Sequence, residues 1–217
     1  MTPVATVVTP DRFAQGLSYA GFIDQATVNR DKFEESYKTV PLTDDDLSFF
    51  RKAAALPHGP AKILAIAEAW CGDVYRELPT MARIAEASGT AGAPGMDLRV
   101  FLRDQNPDIM DEFLSNNGKS RAIPVFVFYT ADLQYIARFT ERSASAHAGL
   151  AAAIDEARVQ LNLPPTATFG NVPDADRQAF LREVVARIRP HSNQWRKDAI
   201  REIRELLSTA LKIPNAG

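Results

Sequence analysis

A chain of 217 residues with 46% hydrophobic content can bury a real core, and its length suits one elaborated domain better than two complete ones. Its 25 lysines and arginines stand against 27 aspartates and glutamates, a balance that argues against nucleic acid or anionic lipid and points to a protein or small molecule as partner. No stretch approaches the roughly 18 apolar residues of a spanning helix, and Met1 to Arg30 lacks a basic segment followed by an apolar run, so a cytosolic protein without membrane association is expected.

The first 60 residues read as helix and loop. Thr43 before Asp44, Asp45 and Asp46 marks a helix start with acid in its first turn, and Leu47, Phe50 and Ala54 recur at helical spacing until Pro57, Gly59 and Pro60 stop it. Ile63 to Ala69 is an apolar run of the length of a buried strand, and it delivers Trp70 and Cys71 at its end. From Gly72 the period turns helical, with Val74, Leu78, Met81, Ile84 and Ala85 on one face until Ser88 and Gly89. Leu98 to Leu102 predicts a second strand, and Asn106 with Pro107 caps a short helix reaching about Ser115. Ala122 to Tyr129 is strongly β-prone with Pro124 at its entrance, and Leu133 to Phe139 can pair with it as a hairpin. Helices over Ala144 to Leu161, Pro173 to Arg189 and Ser192 to Leu211 complete the chain. This order calls for an α/β core over 61–162, in which parallel crossovers precede an antiparallel hairpin, with helical extensions over 1–60 and 163–217 packed on it.

Cys71 is the sole cysteine, so no internal disulfide can form, and a lone thiol suits a reducing compartment. His58, His147 and His191 are far apart and no Cys or His spacing resembles a zinc site, so neither a metal nor another cofactor is expected. Cys71 falls where a strand gives way to a helix, a place whose unpaired N–H groups and dipole favour negative charge. That local argument predicts a thiol more acidic than the free value of about 8.5, with Gly72 leaving the sulfur accessible. The alternative at this position is a buried core cysteine.

Trp70-Cys71-Gly72-Asp73 after a buried strand resembles the active-site segment of thioredoxins, Trp-Cys-Gly-x-Cys. Pro79, eight residues after Cys71, matches the family's helix proline; Asp104-Gln105-Asn106-Pro107 matches a run after the second strand; and Arg121-Ala122-Ile123-Pro124 is similar to its cis-proline segment. The resemblance covers roughly Ile63 to Leu161 and extends to a bacterial branch carrying Trp-Cys-Gly-Asp and terminal helices, some members of which lack the second cysteine. It implies an α/β, thioredoxin-like mixed sheet flanked by helices, a cis Ile123–Pro124 bond facing Cys71, and Ile123 backbone groups open to an extended substrate. Trp70, Gly72, Asp73, Ile123, Pro124 and Arg121 are the candidate substrate-binding residues around the catalytic candidate Cys71, and Arg142 is, with Arg121, a candidate for stabilising the thiolate or holding an acidic group.

Two departures limit the activity. Val74 stands where a thioredoxin has its resolving cysteine, and Ala65 where it buries a proton-moving aspartate. Asp73 reads more readily as a first-turn helix acid than as a catalytic group, and a carboxylate near the sulfur opposes thiolate formation. The functional expectation is therefore a monothiol thiol–disulfide oxidoreductase, in which Cys71 forms a mixed disulfide with a protein or low-molecular-weight thiol and an external thiol resolves it. The alternative is a non-catalytic binding or structural module on the same fold.

Overall fold

The computed structural model describes residues 6–215, so the first five and last two positions of the terminal extensions lie outside the described residues. Among the described residues, four helices precede the sheet: α1 (Pro10–Ala14), α2 (Tyr19–Gln25), α3 (Arg30–Lys38) and α4 (Asp44–Ala54). The sequence resolved only the last of these, because the others are short, α1 and α2 starting at the single-residue caps Thr9 and Ser18 and α3 with no side-chain cap. α4 carries a full capping box, in which Thr43 and Asp46 satisfy each other's backbone N–H groups.

The sheet follows: β1 (Lys62–Ala67), α5 (Gly72–Ala87), β2 (Asp97–Leu102), α6 (Pro107–Asp111), β3 (Val125–Tyr129) and β4 (Tyr135–Thr140), then α7 (Ala144–Gln160), α8 (Asp174–Ile188) and α9 (Ser192–Leu211). Strand order is β2-β1-β3-β4. β1 pairs parallel to β2, with Ile63 opposite Leu98, and antiparallel to β3, with Ile63 opposite Phe128, while β3 and β4 form the hairpin. The two central strands, β1 and β3, are buried along nearly their whole length, which requires cover on both faces, whereas the edge strands β2 and β4 are only partly buried. This is the mixed sheet flanked by helices, with further helices at both ends, that the sequence predicted.

Boundaries differ where turns compete with apolar runs. β1 ends at Ala67 because Glu68 to Trp70 turn away, with the Cys71 N–H donating to Glu68 O at 3.1 Å. β4 begins at Tyr135 because Leu133 takes a left-handed turn conformation with φ 62°. The free side of β2 is met by the N-terminal segment, where Leu17 and Val100 exchange N–H···O bonds of 2.9 and 2.7 Å.

One large core joins the N-terminal helices, the sheet, α5 and α9, and a smaller one lies between α7 and α8. α9 packs against β4, α4, α5 and α7, and a buried ion pair between Arg204 and Asp46, 2.7 Å apart, links it to α4. On α7, Gly149 lets Trp195 of α9 approach so closely that an added Cβ would lie 2.4 Å from its Cζ2. Gly149→Ala is therefore expected to displace the indole and lower stability by about 1–3 kcal/mol, measured by urea unfolding. No helix among the described residues is long and apolar enough to cross a membrane.

Candidate active site around Cys71

The site forms where β1 stops. The Ala69 carbonyl accepts from Asn29 Nδ2 at 2.9 Å, which anchors the turn to the N-terminal helices. Cys71 is the N-cap of α5, and its carbonyl accepts from the Tyr75 N–H at 3.2 Å. Pro79 lies inside α5 without ending it; lacking an N–H, it leaves the Tyr75 carbonyl without its i+4 donor. Across the site, Ile123–Pro124 is a cis peptide, and the Cys71 thiol donates to the Ile123 carbonyl with Sγ 3.7 Å from the oxygen. The Ile123 N–H finds no acceptor among the described residues, so it is the backbone group available to an incoming chain.

Beside the sulfur, Trp70 is 53% exposed, and the Arg103 guanidinium lies over its ring at 4.9 Å. Gly72 makes no demand for a missing side chain: an added Cβ would meet only the Tyr75 side chain, from 3.6 Å at its hydroxyl outward, an ordinary van der Waals contact. Glu68 is turned away, its carboxylate accepting from the Asp104 N–H at 2.9 Å. Val74 is fully buried and Ala65 sits inside β1.

The expected acidity of Cys71 is corrected by its surroundings. The sulfur is partly buried against the main core, and burial pushes its pKa up. The backbone N–H groups of Val74 and Asp73 and the charge of Arg142 act the other way, Asp73 adds to the rise, and the net direction is upward. Neither N–H closes a capping hydrogen bond on the sulfur, so the helix start alone does not overcome desolvation.

Arg121 and Arg142 separate in the structure. Arg121 is exposed and bound to Asp111 at 2.7 Å, its guanidinium engaged away from Cys71. Arg142 instead bonds Asp73, whose other oxygen lies 2.5 Å from Arg76. Asp73 is thus held by two arginines rather than being only a first-turn acid. Arg76 continues to Glu77 at 2.7 Å and lies over the Trp195 ring at 5.6 Å, so the site helix joins α9 through buried charge. Glu77 is 2% exposed, and burial raises its carboxyl to about 7 despite Arg76. Burial opposes the Arg76 charge, but Glu77 and Asp73 outweigh it and hold Arg76 above its usual pKa. The pair is unequal because Arg76 has two carboxylates while Glu77 is fully enclosed with one direct partner. No local pattern marks this network: i, i+3 and i+1 charges on a helix normally face water.

A strand-to-helix cysteine opposite an Ile-cis-Pro segment, on a mixed four-stranded sheet, defines a thioredoxin-fold protein with one thiol at its site. The family model described as Thioredoxin matches residues 16–157, and the chain belongs to that family. Two solved structures share the fold: a protein of unknown function from Pseudomonas aeruginosa, 12% identical with a TM-score of 0.57, covering 94% of this chain and 99% of that one, and an HIV epitope-scaffold, 13% identical with a TM-score of 0.55, covering 93% and 99%. Among curated proteins, none matches.

Proposed function

We propose that the protein is a monothiol thiol–disulfide exchange protein, of a bacterial Trp-Cys-Gly-Asp branch lacking the second cysteine, working in the reducing cytosol. The observation that carries this reading is the placement of the Cys71 thiol 3.7 Å from the Ile123 carbonyl, beside an Ile123 N–H that no described residue takes up. In the first step the Cys71 thiolate attacks one sulfur of a disulfide R–S–S–R′, forming Cys71–S–S–R and releasing R′–S⁻. An external thiolate R″–S⁻ then attacks the R sulfur, giving R–S–S–R″ and restoring the Cys71 thiolate; no second protein sulfur is needed. Extended substrates gain from strand-like pairing with Ile123, and Trp70 with Arg103 offers an aromatic and cationic wall.

The test is a labelled peptide joined by a disulfide to a small thiol. Native protein should take up the peptide as a reductant-labile adduct at Cys71, and Cys71→Ser should reduce uptake to background. One observation favours a second reading, a binding module without turnover: burial raises the Cys71 thiol and lowers its thiolate fraction at neutral pH. Under that reading Cys71→Ser binds the peptide as well as the native protein does, and no covalent adduct accumulates in either.

A further inference from the structure

Arg142 lies where β4 hands over to α7, next to Glu141, whose backbone is left-handed at φ 61°. The Glu141 N–H donates to the Pro124 carbonyl at 2.7 Å, so the loop carrying Arg142 is tied to the segment that faces the sulfur. Arg142 Nη2 then closes on Asp73 Oδ2, two residues after Cys71, and also lies 3.7 Å from Glu141. The circuit runs from Cys71 through Ile123 and Pro124 to Glu141, Arg142 and Asp73, and so back to α5. Within it the Arg142 side chain is 15% exposed, and its Nε is buried with no acceptor among the described residues. A buried donor left unpaired is costly. Here it belongs to a cation that favours charge on Cys71, bound to an anion that opposes it.

We propose that Asp73 and Arg142 form a positioning pair for Cys71: Asp73 holds Arg142 while the sulfur is a thiol, and Arg142 supports the sulfur's negative charge once its proton has gone to solvent. The pair rests on the exchange reading above but concerns only ionisation of the S–H bond. Other charged or titratable groups lie on the elements that build the site. Tyr75 and Arg76 lie on α5, and Lys32 of α3 stands over the Tyr75 ring at 5.0 Å. Glu141 adjoins Arg142, Arg103 covers Trp70, and Glu68 is occupied by the Asp104 N–H. Among the described residues, only Asp73 and Arg142 both act on Cys71 and bond each other.

Asp73→Asn and Arg142→Gln break the same ion pair, which makes the two variants diagnostic. On the full chain, the alkylation rate of Cys71 by iodoacetamide is followed against pH. Asp73→Asn should move the inflection down by roughly one pH unit, Arg142→Gln should move it up by a similar amount, and Arg142→Lys should stay near the native value. A merely structural clamp loosens with either change, so inflections that move in the same direction, or not at all, overturn the proposal. Should Arg142→Gln fail to fold, Asp73→Asn alone decides: an unchanged or raised inflection sinks the idea. Inflections that move apart while Cys71 forms no mixed disulfide would leave this pair standing and remove the exchange reading. Intact exchange with inflections that move together would do the reverse.

Discussion

At pH 8, Arg76→Met is expected to cost about 3–5 kcal/mol of folding stability, the range for removing one partner of a buried ion pair. Arg76 bridges Asp73 at 2.5 Å and Glu77 at 2.7 Å. Asp73 keeps Arg142 after the substitution, but Glu77 loses its one direct counter-charge in a fully enclosed site. The variant should therefore be most damaged where Glu77 is ionised and least damaged at pH 5, where it is protonated. Urea unfolding of Arg76→Met at the two pH values checks the direction, and equal losses at both would show that the guanidinium acts through packing on Trp195 rather than through charge.

Glu77→Gln should flatten a pH dependence that the native protein shows. A carboxyl raised from 4.5 to about 7 in the folded state binds its proton more tightly there than in the unfolded chain. Stability is then fully present below about 4.5 and falls as pH rises through about 7; the shift corresponds to roughly 3 kcal/mol. Urea unfolding at pH 5, 6, 7 and 8 should show the native decline, and the glutamine variant should lose most of it. Combined with Arg76→Met, the same substitution should restore much of the stability lost at pH 8, because no buried carboxylate then lacks a partner.

The fold was legible because its decisive features are local and apolar. Ile63 to Ala67 and Val125 to Tyr129 are continuous hydrophobic runs, and such runs belong to strands covered on both faces. Cys71 and Pro124 could be placed from their neighbours in sequence, since a strand end and an Arg-Ala-Ile-Pro segment are written in consecutive residues. What could not be read depends on contacts between distant segments. The helix start at Cys71 argued for an acidic thiol, but the core packed against it supplies a larger opposing effect that no local pattern encodes. Arg121 and Arg142 looked equivalent as arginines near strand ends, and only the path of the chain after β4 brings Arg142 onto Asp73. Nothing in the residues next to Arg76 and Glu77 marks them as buried; they are enclosed only where α9 packs against α5 and brings Trp195 over the guanidinium.

Each part of the proposed function returns to whether the folded protein presents its sulfur for exchange. The direct measurement is intact mass of the native full chain mixed at pH 8 with a small-thiol disulfide and with a peptide-linked disulfide, each run with and without denaturing urea. The expected result is one adduct per native chain with either disulfide, formed faster from the peptide because its backbone can pair with Ile123, and released by added thiol. An unreactive native chain that forms the adduct only after unfolding would contradict the account.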